Sequence, residues 1–136
     1  MIGFPKTSPQ YALVLLIGMT LALGACGDNN KGDAKKSAGV LSDYYYSIWQ
    51  APSPDWEVRK VRPGNENDVT VEAQVVTKTL TKRIMERSRM EQMEIARMAC
   101  PDYSAKIWEK IEKEQSVGVV LSGSAGHIIN ALCKRP

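Results

Sequence analysis

The sequence predicts an α+β domain: a small antiparallel sheet of about four strands, with two helices packed on one face and one disulfide. Three observations lead there. A clean apolar/polar alternation runs from Val69 to Thr77, a helical stretch free of Gly and Pro runs from Leu80 to Ala99, and two short β-prone runs flank a small-residue turn near the C-terminus. Strands followed by helices and then strands again place a helix layer over one side of a sheet.

The elements follow in chain order. Ser42–Trp56 (SDYYYSIWQAPSPDW) is dense in aromatics and broken by Pro52 and Pro54. Its Tyr44–Trp49 portion fits a short strand or a helical turn equally well, since periodicity alone does not separate them. Trp56–Val61 reads as a short strand ended by the turn signal Pro63-Gly64-Asn65. In Val69–Thr77 the residues Val69, Val71, Ala73 and Val75 share one face and Thr70, Glu72 and Gln74 the other, the pattern of a strand with one wet side. Leu80–Ala99 is rich in strong helix formers. Within it Ser88-Arg89-Met90-Glu91 matches a capping box, so the helix starts or restarts at Ser88. Pro101 ends it, and Asp102 is placed to cap a second helix that shows Ala105, Trp108, Ile111 and Glu112 on one stripe. Val117–Leu121, the turn Ser122–Gly126 and His127–Cys133 form a hairpin.

At the N-terminus, Tyr11–Leu23 (YALVLLIGMTLAL) is almost wholly apolar behind Lys6. Such a run rises only about 20 Å as a helix, short of the roughly 30 Å of bilayer hydrocarbon, so it reads as an export signal rather than a span. It ends in Leu23-Gly24-Ala25-Cys26. This resembles the lipobox of bacterial lipoproteins, which implies cleavage before Cys26, acylation of its thiol and anchoring in a membrane by the acyl chains. Residues 1–25 are then signal peptide. Gly27 at the position after the cysteine favours the outer membrane, with the protein facing the periplasm. Residues 26–39, polar and small, read as a flexible tether, and 40–136 as one small domain with a thin core.

The formal charge is +3 and basic residues form no long run, so no nucleic-acid partner is implied. Three cysteines leave an odd thiol in an exported chain. With Cys26 carrying lipid, Cys100 and Cys133 remain as a pair, and an oxidising compartment favours their bridge. Two lone cysteines and the distant His127 have no metal-ligand spacing, and no cofactor or metal is expected. Catalysis is not expected either. His127 has no nucleophile placed beside it, the Ser122–Gly126 turn lacks P-loop spacing, and the glutamates alternate with Lys and Arg as solvated helix faces. Binding fits better. Met85, Met90, Met93 and Met98 lie in one helical segment. Core filling is the commoner use of methionine. Yet these four with Ile95 spread over an arc too wide for a narrow core stripe, leaving part of it for an apolar partner helix.

The alternating strand, the helix running into Arg97-Met98-Ala99-Cys100-Pro101-Asp102, the second helix and the hairpin ending in Cys133 together resemble the AspS-type (GspS-beta) pilotins of type II secretion systems. The resemblance covers roughly Val69–Cys133. It implies a small α/β outer-membrane lipoprotein with a disulfide that binds the C-terminal segment of a secretin subunit as a helix and brings it to the outer membrane. Two other functions fit the sequence: a periplasmic inhibitor of lysozyme-type enzymes acting through Gly123–Gly126, and a structural lipoprotein of another envelope or secretion apparatus.

Overall fold

The computed structural model describes residues 29–64 and 67–136. The expected signal peptide, the expected acylation position Cys26 and the first residues of the expected tether lie outside them. The chain runs α1 (Asn29–Ser47), β1 (Trp56–Pro63), β2 (Asp68–Val75), α2 (Lys78–Met85), α3 (Arg89–Arg97), a 3-10 turn (Lys106–Lys110), β3 (Ser116–Gly123) and β4 (Gly126–Leu132). The α+β class and the four strands are as the sequence predicts.

Strand order is β1-β2-β3-β4, with β1–β2 and β3–β4 antiparallel and β2–β3 parallel. The sheet is therefore mixed, which corrects the antiparallel expectation. The reason is the crossover: residues 76–115 carry the chain back over the helix layer to the end where β2 began, so β3 starts beside Asp68 and runs the same way. Alternation in β2 is as read, with Val69, Val71, Ala73 and Val75 buried, and β3 repeats it with Val117, Val119 and Leu121. Ile129 and Ala131 extend this face into β4. α1 packs against β1 and β2, and α3 against β4 and β3.

α1 changes the reading of the N-terminal half. From Asn29 onward the presumed tether is helix, and Tyr44–Ser47 is its last turn rather than a strand. Ala34, Ser37, Ala38, Leu41, Tyr44 and Tyr45 are buried at helical spacing along one stripe. The small side chains of Ala34, Ser37 and Ala38 let the helix lie close on the domain, but give that part of it little hydropathy. The helix restart at Ser88 is as read: the Ser88 hydroxyl accepts from the Glu91 amide at 3.3 Å, and the Glu91 carboxylate accepts from the Ser88 amide at 2.9 Å. The second helix expected after Asp102 is instead the 3-10 turn, with Ala105 rather than Asp102 at its N-cap. Three residues per turn stack Trp108 and Ile111 on one side, and both are buried with Ile107.

The hairpin tip is docked on α2. Thr81 donates to the Thr77 carbonyl at 2.8 Å and accepts from the Ser124 amide at 3.1 Å. A Cβ at Gly123 would collide with the Thr81 side chain and press on Ile128. Gly126 closes the turn with φ of 118°, a conformation that side chains resist. Cys100, just past α3, is bonded to Cys133, just past β4. Among the described residues no helix is long and apolar enough to cross a membrane.

Two glycines give opposite predictions. Gly123→Ala destabilises by about 1–3 kcal/mol, because the new methyl has to displace Thr81 and with it the α2–hairpin contact. Gly39→Ala, in an exposed helical position with open space around it, stabilises by about 1 kcal/mol through helix propensity. Urea midpoints of the two variants check both signs.

Candidate functional site

Where the C-terminal end of α1 meets the segment after α3, the surface folds into a groove of about 410 Å³. Its lining is Tyr44, Ile48, Trp49 and Gln50 from one side, and Met98, Cys100, Asp102, Ser104 and Ala105 from the other. Ile48 and Met98 are 70 % and 52 % exposed. Asp102 is the one charged side chain in the lining.

The walls are fixed by the aromatic cluster of α1. Tyr45 donates its hydroxyl hydrogen to the Ala99 carbonyl at 2.6 Å, which ties α1 to the segment after α3. The Tyr44 hydroxyl accepts from the Asp102 amide at 3.4 Å, and the Trp108 indole donates to the Asp102 carbonyl at 2.9 Å. Tyr45 meets the edges of Tyr44 and Trp49 at ring separations of 5.3 and 5.5 Å, the edge-to-face geometry aromatic pairs prefer. The disulfide holds Cys100 in the floor. Burial pushes the Tyr44 and Tyr45 phenols above the ordinary tyrosine range, Tyr45 far above it.

The four methionines do not form one surface. Met98 lines the groove. Met93 is half-buried and packs against the core. Met85 and Met90 are exposed on the outer side; Met90 lines a shallow depression of about 410 Å³ with Arg87, Glu91, Glu94 and Ile95 on α3. There the Ser88 hydrogen bonds hold the Glu91 carboxyl below its usual range. Ile48 and Gln50 were not singled out by sequence, since the groove forms only when α1 and the α3 exit are brought together. The Tyr44–Trp49 cluster divides between core and surface: Tyr45 is buried and Ile48 is exposed.

Nothing in the groove is arranged for acid–base or nucleophilic chemistry. His127 is exposed on β4 with its ring nitrogen 2.7 Å from the Asn130 side-chain oxygen. Among the described residues no group of three or more His, Cys, Asp or Glu converges as metal ligands. What the groove offers is a trough of mixed lining, with Ile48 and Met98 as its exposed apolar side chains among the polar Gln50, Asp102 and Ser104, suited to an element that brings both apolar and polar side chains.

By sequence, no family model and no curated protein matches the chain. Among solved structures, the fold is similar to that of a pilotin from the Vibrio vulnificus type 2 secretion system, EpsS. The TM-score is 0.51 at 13 % identity, over 77 % of this chain and 87 % of that one. The likeness is one of fold.

The buried phenol sets an alkaline limit. In the unfolded chain tyrosine ionises near pH 10, whereas folded Tyr45 stays protonated well beyond it. The folded state then binds more protons, so stability is full below about pH 10 and falls as pH rises past it, by up to about 1.4 kcal/mol per pH unit. Tyr45→Phe loses the Ala99 hydrogen bond, costing about 1 kcal/mol at neutral pH, and flattens the alkaline decline. Urea midpoints between roughly pH 8 and pH 11 resolve the two effects.

Proposed function

We propose that this chain is a lipid-anchored envelope assembly protein of pilotin type. Acylated at Cys26 and held at the periplasmic face of the outer membrane, it binds an amphipathic helical segment of a secretin subunit and helps place that subunit in the membrane. The observation that carries this is the groove between the end of α1 and the segment after α3, with Ile48 and Met98 exposed on its two sides and Tyr44 and Trp49 in one wall, in a fold similar to that of a type 2 secretion pilotin. A helix docked there would present apolar residues at i, i+3/i+4 and i+7, and the Asp102 edge favours a basic residue flanking them.

The inhibitor reading gains nothing from the hairpin. Gly123 pairs with Gly126 across a short tight connection that rests on Thr81, so no loop protrudes to plug an active site.

Binding of a fluorescent peptide from the C-terminal segment of the cognate secretin tests the proposal. Ile48→Asp and Met98→Glu, both at exposed positions, are expected to weaken binding at least tenfold with the melting temperature nearly unchanged. Met93→Glu, which puts a charge against the core, is expected to lower the melting temperature instead. Normal secretin localisation in a strain lacking this protein would overturn the reading.

A further inference from the structure

α1 packs on the domain almost from its first turn. Ala34 is 1 % exposed, and the Ser37 hydroxyl donates to the side-chain carbonyl of Gln115, itself 1 % exposed and bonded through its amide to Asn67 at 3.2 Å. In the sequence only Gly27 and Asp28 separate Cys26 from Asn29, the first residue of α1. A fully extended chain covers at most about 3.5 Å per residue, so the covalent link from Cys26 to the helix start spans at most about 10 Å. That leaves no length for a swinging tether.

We propose that the folded domain stands directly against the bilayer surface, with the start of α1 as its footing. This rests on the reading of Cys26 as acylated. Connectivity rather than charge sets the contact, because the footing carries both signs: Asp33, Lys35 and Lys36 are all exposed. The rest of α1 then limits how far the groove can stand from the membrane. Nineteen helical residues rise about 28 Å, and Tyr44, Ile48 and Trp49 sit at the far end of them. With the short link added, the groove lies no more than about 40 Å from the bilayer surface. The partner's recognised segment has to be presented within that distance, as a segment close to the membrane is and a remote periplasmic domain is not.

Neutron reflectometry of the acylated full chain on a supported phosphatidylethanolamine/phosphatidylglycerol bilayer tests this. The expected profile is a protein layer contiguous with the headgroups. A variant with fourteen Gly/Ser residues inserted between Asp28 and Asn29 is expected to show a hydrated gap of about 20 Å, the span of such a linker, with an unchanged circular-dichroism melt. A gap of that size under the wild-type protein, once mass spectrometry shows diacylglycerol on Cys26, overturns the inference alone. Absence of the diacylglycerol overturns the anchor reading and this inference with it. Peptide binding in solution does not sense the anchor, so failure of the groove reading would show separately.

Discussion

Parallel neighbours in a sheet cannot be joined by a tight turn, and β2 and β3 are parallel neighbours. The chain between them has to leave the sheet, cross one face and return, and residues 76–115 do this with α2, α3 and the 3-10 turn. Those elements cover β3 and β4. The buried valines of β2 and the inner side of β1 remain uncovered by them, and α1 fills that half. α1 and the crossover, reaching the sheet from different parts of the chain, meet where Tyr45 bonds to Ala99 and α1 packs on the 3-10 turn. The groove opens at that meeting, so it depends on the crossover that the parallel pair requires.

Such a layout puts much of its polar bonding where the crossover leaves and re-enters the sheet. Gln115, just before β3, receives Ser37 from α1 and donates to Asn67 just before β2. Arg135 reaches back from the C-terminal tail to donate to the carbonyls of Glu112 and Ile111, each at 2.7 Å, with its guanidinium 5.5 Å from the centre of the Trp108 ring. These contacts tie the tail to the carbonyls of the loop that follows the 3-10 turn. The disulfide closes the other corner. Its loop contributes about 3–4 kcal/mol in the chain-entropy model, against the roughly 5–15 kcal/mol of a typical domain. A core of valines and alanines gains much from that bridge, and the same bridge fixes the groove floor.

Legibility in the sequence followed the range of the interaction. The alternation of β2, the capping box at Ser88 and the hairpin are local patterns, and each is present in the structure. The cysteine pair came from compartment and arithmetic. Parallel pairing was not legible, because an alternating strand reads the same whichever way its neighbour runs. α1 was missed because Ala34, Ser37 and Ala38 bury well but look polar or neutral as a run, between Lys35, Lys36 and Gly39. The spacing 34, 37/38, 41, 44/45 was the available signal, with small residues counted as apolar. The groove was least legible: Ile48 and Met98 are fifty positions apart, and the methionine count pointed as readily to Met93, which is a core filler.

Isolated exposed apolar residues are ordinary on a protein surface, so Ile48 and Met98 signify through what surrounds them. Every wall of the trough is held by bonds made without any occupant: Tyr45 to Ala99, Tyr44 to Asp102, Trp108 to Asp102, Cys100 to Cys133. A trough held in this way would add little ordering cost of its own on binding. On the function proposed above, the ordering cost would fall on the incoming segment, which would gain its helix only as its apolar face is buried. Recognition by such a site depends on whether the segment can become an amphipathic helix of the right spacing. That is a property of a class of sequences rather than of one rigid surface, and it would suit the assembly role proposed for this chain.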